Sequence, residues 1–270
     1  IEENGELRWL CDFVKIRPDL DFLIGKNNSK EWISIYRGLT RVLTILPTDN
    51  PHKVELDADD KYKLLSPDLY GAVSIIGDFR ERLEDVLAKI DIDSRFSRYY
   101  GNKKEGFYQN ELSRRFGICG KPDDDFVIID KEAVVGFSNK TEKDQFLGNV
   151  RVKYKELQRE ISTLDAKRYG KGLEKKAIGN ELDFLALHKN GNILLIEYKH
   201  GTNTAGIYMS PLQIGMYYDI FAGLKRDILE SAVVDMLHQK KKIGLVNPQW
   251  VAPNKLRDLV PVLIVSEYNY

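Results

Sequence analysis

Residues 179–219 read GNELDFLALHKNGNILLIEYKHGTNTAGIYMSPLQIGMYYD, and this stretch decides how the second half of the chain folds. Residues 181–187 alternate in a strand-like pattern, residues 189–192 have turn composition, and residues 193–199 form a second apolar run. The pattern predicts a β-hairpin. A helix is expected to follow it, beginning near Ser210 and Pro211.

Three charged residues on this hairpin are the candidate chemical groups. Asp183 lies on the first strand, and Glu197 and Lys199 lie on the second. Side chains at positions i and i+2 of a strand share a face and are separated by roughly 7 Å along the backbone. Two carboxylates can hold Mg²⁺ with open water positions, and a lysine can stabilise charge that develops on a phosphodiester or orient the attacking water. The alternative is a charged pair on a solvated hairpin.

The hairpin turn decides whether the two carboxylates can meet. A two-residue turn at Asn190 and Gly191 would place Asp183 opposite Tyr198, on the face away from Glu197. A three-residue loop over residues 189–191, with Gly191 left-handed, would place Asp183 opposite Glu197. The chemistry predicts the three-residue loop or another loop of the same parity.

The spacing of these residues resembles the PD-(D/E)XK nuclease superfamily. The matching elements are Leu182-Asp183, then Glu197-Tyr198-Lys199, then the Q-x-x-x-Y element of Gln213 and Tyr217, which is typical of the RecB-like branch. The resemblance covers about half of the chain, residues 140–270. It implies a restriction-endonuclease-like αβββαβ core within a domain of residues 106–270. Glu197 and Lys199 follow the apolar run ILLI, where charge is costly unless it has a purpose.

Site roles follow from the same resemblance. Asp183 and Glu197 would bind Mg²⁺, for which Mn²⁺ could substitute, and Lys199 would act in catalysis. Gln213 and Tyr217 would contact the nucleic-acid backbone or support the catalytic residues. The family also has a glutamate on the preceding helix.

Two glutamates of that helix qualify for the family position. Glu160 is preferred over Glu156 because it lies nearer the apolar stripe that is centred on Leu157 and Ile161. Surface charge is the alternative interpretation for both glutamates. Glu181 shares the face of Asp183 and could add a ligand.

The rest of the chain predicts an N-terminal α+β domain over residues 1–105, whose role the sequence leaves open. Its boundary is expected in the polar segment 98–106. Strands are predicted within residues 31–46 and 53–57, and a helix is predicted from Ser66 through Leu87. Further predicted elements are a helix at residues 107–116, a hairpin at residues 126–137 and a long helix from Asn139 to about Leu164.

Composition and charge limit the class of protein. Lysine plus arginine equals aspartate plus glutamate at 41 each, whereas nucleic-acid binders are usually basic overall. Residues 151–176 nevertheless hold nine basic residues against four acidic ones, which fits either a nucleic-acid groove or a solvated helix face. No apolar run is long enough to cross a membrane, and no signal peptide is visible. The two cysteines, Cys11 and Cys119, have neither disulfide-framework nor zinc spacing, so a cytoplasmic protein is expected.

These observations predict a metal-dependent nuclease that hydrolyses phosphodiester bonds of DNA or RNA, with DNA favoured as the partner. The alternative is a catalytically silent nuclease-fold module that binds nucleic acid or another protein. Presence of Asp183, Glu197 and Lys199 together favours the enzyme. The zero net charge suggests that binding requires a homodimer or a protein partner.

Overall fold

The computed structural model describes residues 5–27, 30–50, 52–67, 70–71, 73–75, 80–93, 95–96, 100, 105–170, 172, 179 and 181–267. The chain is a mixed α+β protein, as predicted. It divides into two compact units, of which the first comprises Ile1–Val127 with Leu237–Val251 and the second Ile128–Met236 with Ala252–Tyr270. The first unit includes a helix at Glu105–Arg115, which the predicted boundary assigned to the nuclease-like domain.

The first unit contains a five-stranded antiparallel sheet in the order β1-β2-β3-β4-β5. Its core is apolar and includes the fully buried Leu10, Leu43 and Leu83. The elements are α1 (Arg8–Ile16), β1 (Asp21–Asn27), β2 (Lys30–Arg37), β3 (Thr40–Pro47), β4 (Lys53–Asp57), α2 (Asp60–Lys63), β5 (Val73–Ile75), α3 (Arg80–Ile92) and α4 (Glu105–Arg115).

Strands β2, β3 and β4 and helix α4 confirm the predictions for this unit, but the helix predicted from Ser66 is wrong in its first half. Residues 73–75 form β5, in which Ser74 pairs with Val54 of β4, and α3 begins only at Arg80. Pairing with a distant strand overrides the helical period because β-branched residues such as Val73 fit an extended backbone. Residues 68, 69, 72 and 76–79 of that prediction lie outside the described residues.

The second unit contains a four-stranded mixed sheet in the order β6-β7-β8-β9. Strands β7 and β8 are antiparallel, whereas β8 and β9 are parallel. Helix α6 packs against β8 and β9, and α5 packs along α6. The elements are β6 (Phe126–Ala133), α5 (Lys140–Tyr169), β7 (Leu182–His188), β8 (Ile193–His200), α6 (Thr204–Ala222), α7 (Arg226–Lys242) and β9 (Leu259–Ser266). Among the described helices, none is both long and apolar enough to span a membrane.

Helix α5 confirms the predicted start at Asn139 and extends five residues beyond the predicted end. The Asn139 side chain accepts a hydrogen bond from the Glu142 backbone N–H at 2.9 Å and caps the helix. Gly170, with φ of 72°, ends it in the left-handed conformation that glycine adopts without a steric penalty.

Two predictions for this unit are wrong. The predicted hairpin over residues 126–137 is a single strand, Phe126–Ala133, and Glu132 takes a positive φ of 53° one residue before the strand ends. Helix α6 begins at Thr204 rather than near Ser210, because the Asn203 side chain accepts the Gly206 N–H and caps an earlier start. Pro211 therefore lies inside the helix.

The predicted αβββαβ order is met only in part. The described residues place two strands between α5 and α6, where the predicted order has three, and the strand beside β7 in the sheet is β6, which precedes α5. The hairpin, the following helix α6 and the parallel strand β9 occur in the predicted order.

Candidate active site

The hairpin between β7 and β8 has the predicted three-residue loop. Gly191 is left-handed with φ of 98°, and its N–H donates to the His188 carbonyl at 2.9 Å. Leu185 pairs with Leu195 and Phe184 with Ile196, so the same register places Asp183 opposite Glu197. The His188 N–H donates to the Asn192 carbonyl, which confirms the predicted three-residue loop. Continued by one residue beyond the paired positions, this register keeps Asp183 and Glu197 on the same side of the pleat.

Only glycine fits at the tip of this loop. A Cβ atom on Gly191 would lie 2.2 Å from the Lys255 carbonyl oxygen, far inside van der Waals contact. The Gly191 carbonyl also accepts the Arg257 N–H at 2.7 Å. These contacts fix the loop against the segment that leads into β9, and they hold the register that aligns the carboxylates.

The two strands separate at Asp183, and its carboxylate enters the gap. Oδ2 of Asp183 accepts a hydrogen bond from the Tyr198 backbone N–H at 2.7 Å. In an uninterrupted antiparallel ladder this N–H would donate to the Leu182 carbonyl. The half-buried Asp183 side chain thus takes the place of a backbone acceptor, which orients its carboxylate beside β8.

Glu197 and Lys199 form a buried ion pair on β8. Glu197 is fully buried, Lys199 is 7% exposed, and the lysine Nζ donates to Glu197 Oε1. Strand β8 lies between β7 and β9, where Glu197 pairs with Leu263. Burying two charges costs free energy that their attraction offsets only with good geometry, and a purely apolar pair is often as stable. The pair is therefore no sign of added stability.

Gln213 and Tyr217 of α6 are brought to the start of β7. The Tyr217 hydroxyl donates to the Glu181 backbone carbonyl at 2.5 Å, and Gln213 Nε2 donates to the Tyr217 hydroxyl at 3.3 Å. A Cβ atom on Gly179 would lie 2.9 Å from Gln213 Nε2 and 3.0 Å from the Tyr217 hydroxyl, so a larger residue there would displace these side-chain ends. These contacts attach α6 to the chain directly before Asp183.

The pKa of the Tyr217 hydroxyl depends on its burial and on the carboxylates near it. Burial raises the pKa of the Tyr217 hydroxyl, and the carboxylates of Glu197, Asp183 and Glu181 raise it further, whereas the hydrogen bond from Gln213 lowers it. The structure therefore brings together five of the predicted groups: the Tyr217 phenol, the carboxylates of Asp183 and Glu197, the Lys199 ammonium and the Gln213 amide.

The helix glutamates are not part of this cluster. Glu160 and Glu156 are both exposed on α5, and within the described ranges no group of three or more His, Cys, Asp or Glu side chains is arranged to hold a metal ion. Helix α5 contacts α6 through Tyr154, whose hydroxyl donates to Asp219 Oδ2 at 3.1 Å. Glu181 is exposed as well.

Sequence patterns could not reveal the two backbone groups of the site. The Tyr198 N–H holds Asp183 and the Glu181 carbonyl holds Tyr217, and neither group depends on the side chain of its own residue. Gly179 was detectable only as a glycine that directly precedes a predicted strand.

Six of the nine basic residues predicted to border the site lie on α5. Lys153 donates to Asp219 at 2.6 Å, while Lys155, Arg159, Lys167 and Arg168 are exposed. Lys171, Lys175 and Lys176 lie outside the described residues. The described part of the run is thus a solvated face of α5 that remains accessible to a polyanion.

Comparison of the chain with protein-family models, curated proteins and solved structures finds no match. The chemistry of the site therefore rests on its own residues. Mg²⁺ prefers oxygen ligands, keeps several waters and is commonly held by one or two protein carboxylates. The donor set of Asp183 and Glu197 fits such an ion.

Proposed function

We propose that the second unit is a metal-dependent nuclease that hydrolyses phosphodiester bonds of DNA or RNA. The observation that carries the proposal is the register of the hairpin, which sets Asp183 opposite Glu197 and puts the Lys199 ammonium on the same face. Few structural roles require two carboxylates and a lysine at the centre of a sheet, since each buried charge costs free energy.

Asp183 and Glu197 would hold Mg²⁺ or Mn²⁺, which supplies Lewis-acid stabilisation of phosphate charge when it is bound. Lys199 would place a positive charge beside the phosphoryl oxygens, where it stabilises the transition state more than the ground state. Tyr217 and Gln213 would keep α6 against β7 and so maintain the position of Asp183.

The order of the elements also supports a restriction-endonuclease-like core. In that arrangement a hairpin with the acidic residues is followed by a helix and a parallel strand, as β7, β8, α6 and β9 are here. The position of β6 before α5 departs from it, and Glu160 has no place in this proposal.

The exposed basic residues of α5 favour a nucleic-acid substrate, of which DNA is preferred, whereas the net charge of the whole chain does not. Basic side chains on a helix neutralise phosphates irrespective of sequence, but a net charge of zero gives little long-range attraction. A homodimer would bring a second basic face of α5 to the nucleic acid, and a basic protein partner would add net positive charge. A cytoplasmic location is part of the same proposal.

The test is cleavage of labelled single-stranded, duplex and branched DNA and RNA with Mg²⁺ or Mn²⁺. We expect at least one substrate to be cut by the wild-type protein, and Asp183→Asn to abolish cutting. Asp165→Asn is the matched control, because Asp165 is also half-buried but accepts from the Tyr208 hydroxyl on the side of α6. Binding of nucleic acid without cleavage would instead support the catalytically silent module.

A further inference from the structure

The Glu197–Lys199 pair is unusual in where it lies. Lys199 Nζ contacts Glu197 Oε1 on an inner strand of the sheet, where both residues pair with β9 and Glu197 is fully removed from solvent. Asp183, by contrast, is held by the Tyr198 N–H and is only half-buried. Glu197 thus has a full positive charge in direct contact with one of its carboxylate oxygens.

We infer that the Lys199 ammonium occupies the cation position at Glu197 when the protein is free of metal, so that the ammonium and a divalent cation compete for this carboxylate. The inference rests on the proposed function, since it takes Glu197 to be a ligand. The Lys199 ammonium would thus lower the affinity of the site for a divalent cation, and bound nucleic acid would relieve this effect.

The chemistry of lysine makes this exchange feasible. A fully buried carboxylate destabilises the fold unless a positive charge accompanies it, and an ammonium at Glu197 supplies that charge. Lysine carries its charge on a flexible four-carbon stem with three rotatable donors, so the ammonium can leave one oxygen acceptor for another nearby. Lys199 is therefore suited to both positions, on the carboxylate and on a phosphate.

Exchange of this kind couples the metal to the substrate. A phosphate beside the site attracts the Lys199 ammonium and leaves Glu197 to the divalent cation, so nucleic acid should raise the metal affinity. Because coupling free energies are reciprocal, the metal should raise the affinity for nucleic acid by the same factor. The substitution Lys199→Met would remove both the competition and the coupling.

The experiment is Mn²⁺ titration calorimetry at pH 8, with and without a phosphorothioate oligonucleotide that resists cleavage, on wild-type protein, Lys199→Met and Asp183→Asn. In the wild type we expect the oligonucleotide to tighten Mn²⁺ binding by about tenfold, a typical allosteric factor. Lys199→Met should bind Mn²⁺ more tightly without oligonucleotide and gain little from its addition. Equal Mn²⁺ affinities for both proteins would overturn the inference.

Lys199→Arg keeps the test decisive if Lys199→Met does not fold. A guanidinium binds a carboxylate through two parallel hydrogen bonds and is less easily displaced, so the arginine variant should bind Mn²⁺ about tenfold more weakly than wild type. Unchanged affinity would overturn the inference. Failure of the proposed function looks different, because the folded wild-type protein would then bind no Mn²⁺, or Asp183→Asn would bind it equally well.

Discussion

Replacing Asp183 by asparagine or by alanine separates its structural contact from its charge. The carboxylate accepts the Tyr198 N–H at 2.7 Å, and Tyr198 is 2% exposed. Asparagine retains a carbonyl oxygen at the same position, so Asp183→Asn should change the free energy of unfolding by less than about 1 kcal/mol. Alanine removes the acceptor from a buried donor, which typically costs about 1–3 kcal/mol.

Urea denaturation followed by circular dichroism measures this difference, and Mn²⁺ calorimetry measures the charge. Both variants should lose Mn²⁺ binding, but only Asp183→Ala should lose about 2 kcal/mol of stability. Asp165→Asn and Asp165→Ala are the control pair, and their free energies of unfolding should stay within about 0.5 kcal/mol of wild type. The reason is that Asp165 accepts its hydrogen bond from the hydroxyl of Tyr208, a residue exposed to water. Equal stability of the two Asp183 variants would refute the reasoning, as would Mn²⁺ binding by Asp183→Asn.

Three further predictions concern Lys199, the basic run and Tyr217. Lys199→Ala should lower the cleavage rate about a hundredfold or more, which corresponds to on the order of 3 kcal/mol of lost transition-state stabilisation. Mn²⁺ binding should persist in calorimetry. Cleavage at the wild-type rate would contradict the catalytic role of Lys199. Substituting glutamate for Lys171 and Lys175 should weaken binding of all nucleic-acid sequences alike and flatten the salt dependence of binding in filter-binding assays. An unchanged salt slope would show that the basic residues 151–176 are only a solvated surface. Burial raises the pKa of Tyr217, so above pH 10.0 the unfolded chain loses this proton while the folded protein keeps it, and wild-type stability should fall as the pH rises. Tyr217→Phe should show a shallower decline in urea titrations. Identical slopes for the two proteins would exclude this contribution.

The hairpin and the long helix were predictable because local residues specify them. Gly191 supplies the left-handed turn position, and the need to align Asp183 with Glu197 selects the loop length. Asn139 marks the start of α5 by its capping side chain. In each case the deciding interaction lies within a few residues or within one strand pair.

The remaining errors arise from distant or backbone partners. Residues 73–75 become a strand because β4 offers an unpaired edge, which no local pattern reveals. The partner of the α5 stripe was not predictable either, because a helical period marks an apolar stripe without stating what it packs against; the structure shows that α5 packs on α6 through Tyr154. The contact between Asp183 and the Tyr198 N–H likewise depends on where two strands separate.

Anomalous X-ray diffraction from crystals soaked in Mn²⁺ tests most directly whether Asp183 and Glu197 form a metal site. The account predicts one strong peak with carboxylate oxygens of both residues as ligands, at about 2.1 Å as is typical of a small divalent cation, and with the Lys199 ammonium displaced from Glu197. The absence of a peak at saturating Mn²⁺, or a peak that neither carboxylate contacts, would contradict it.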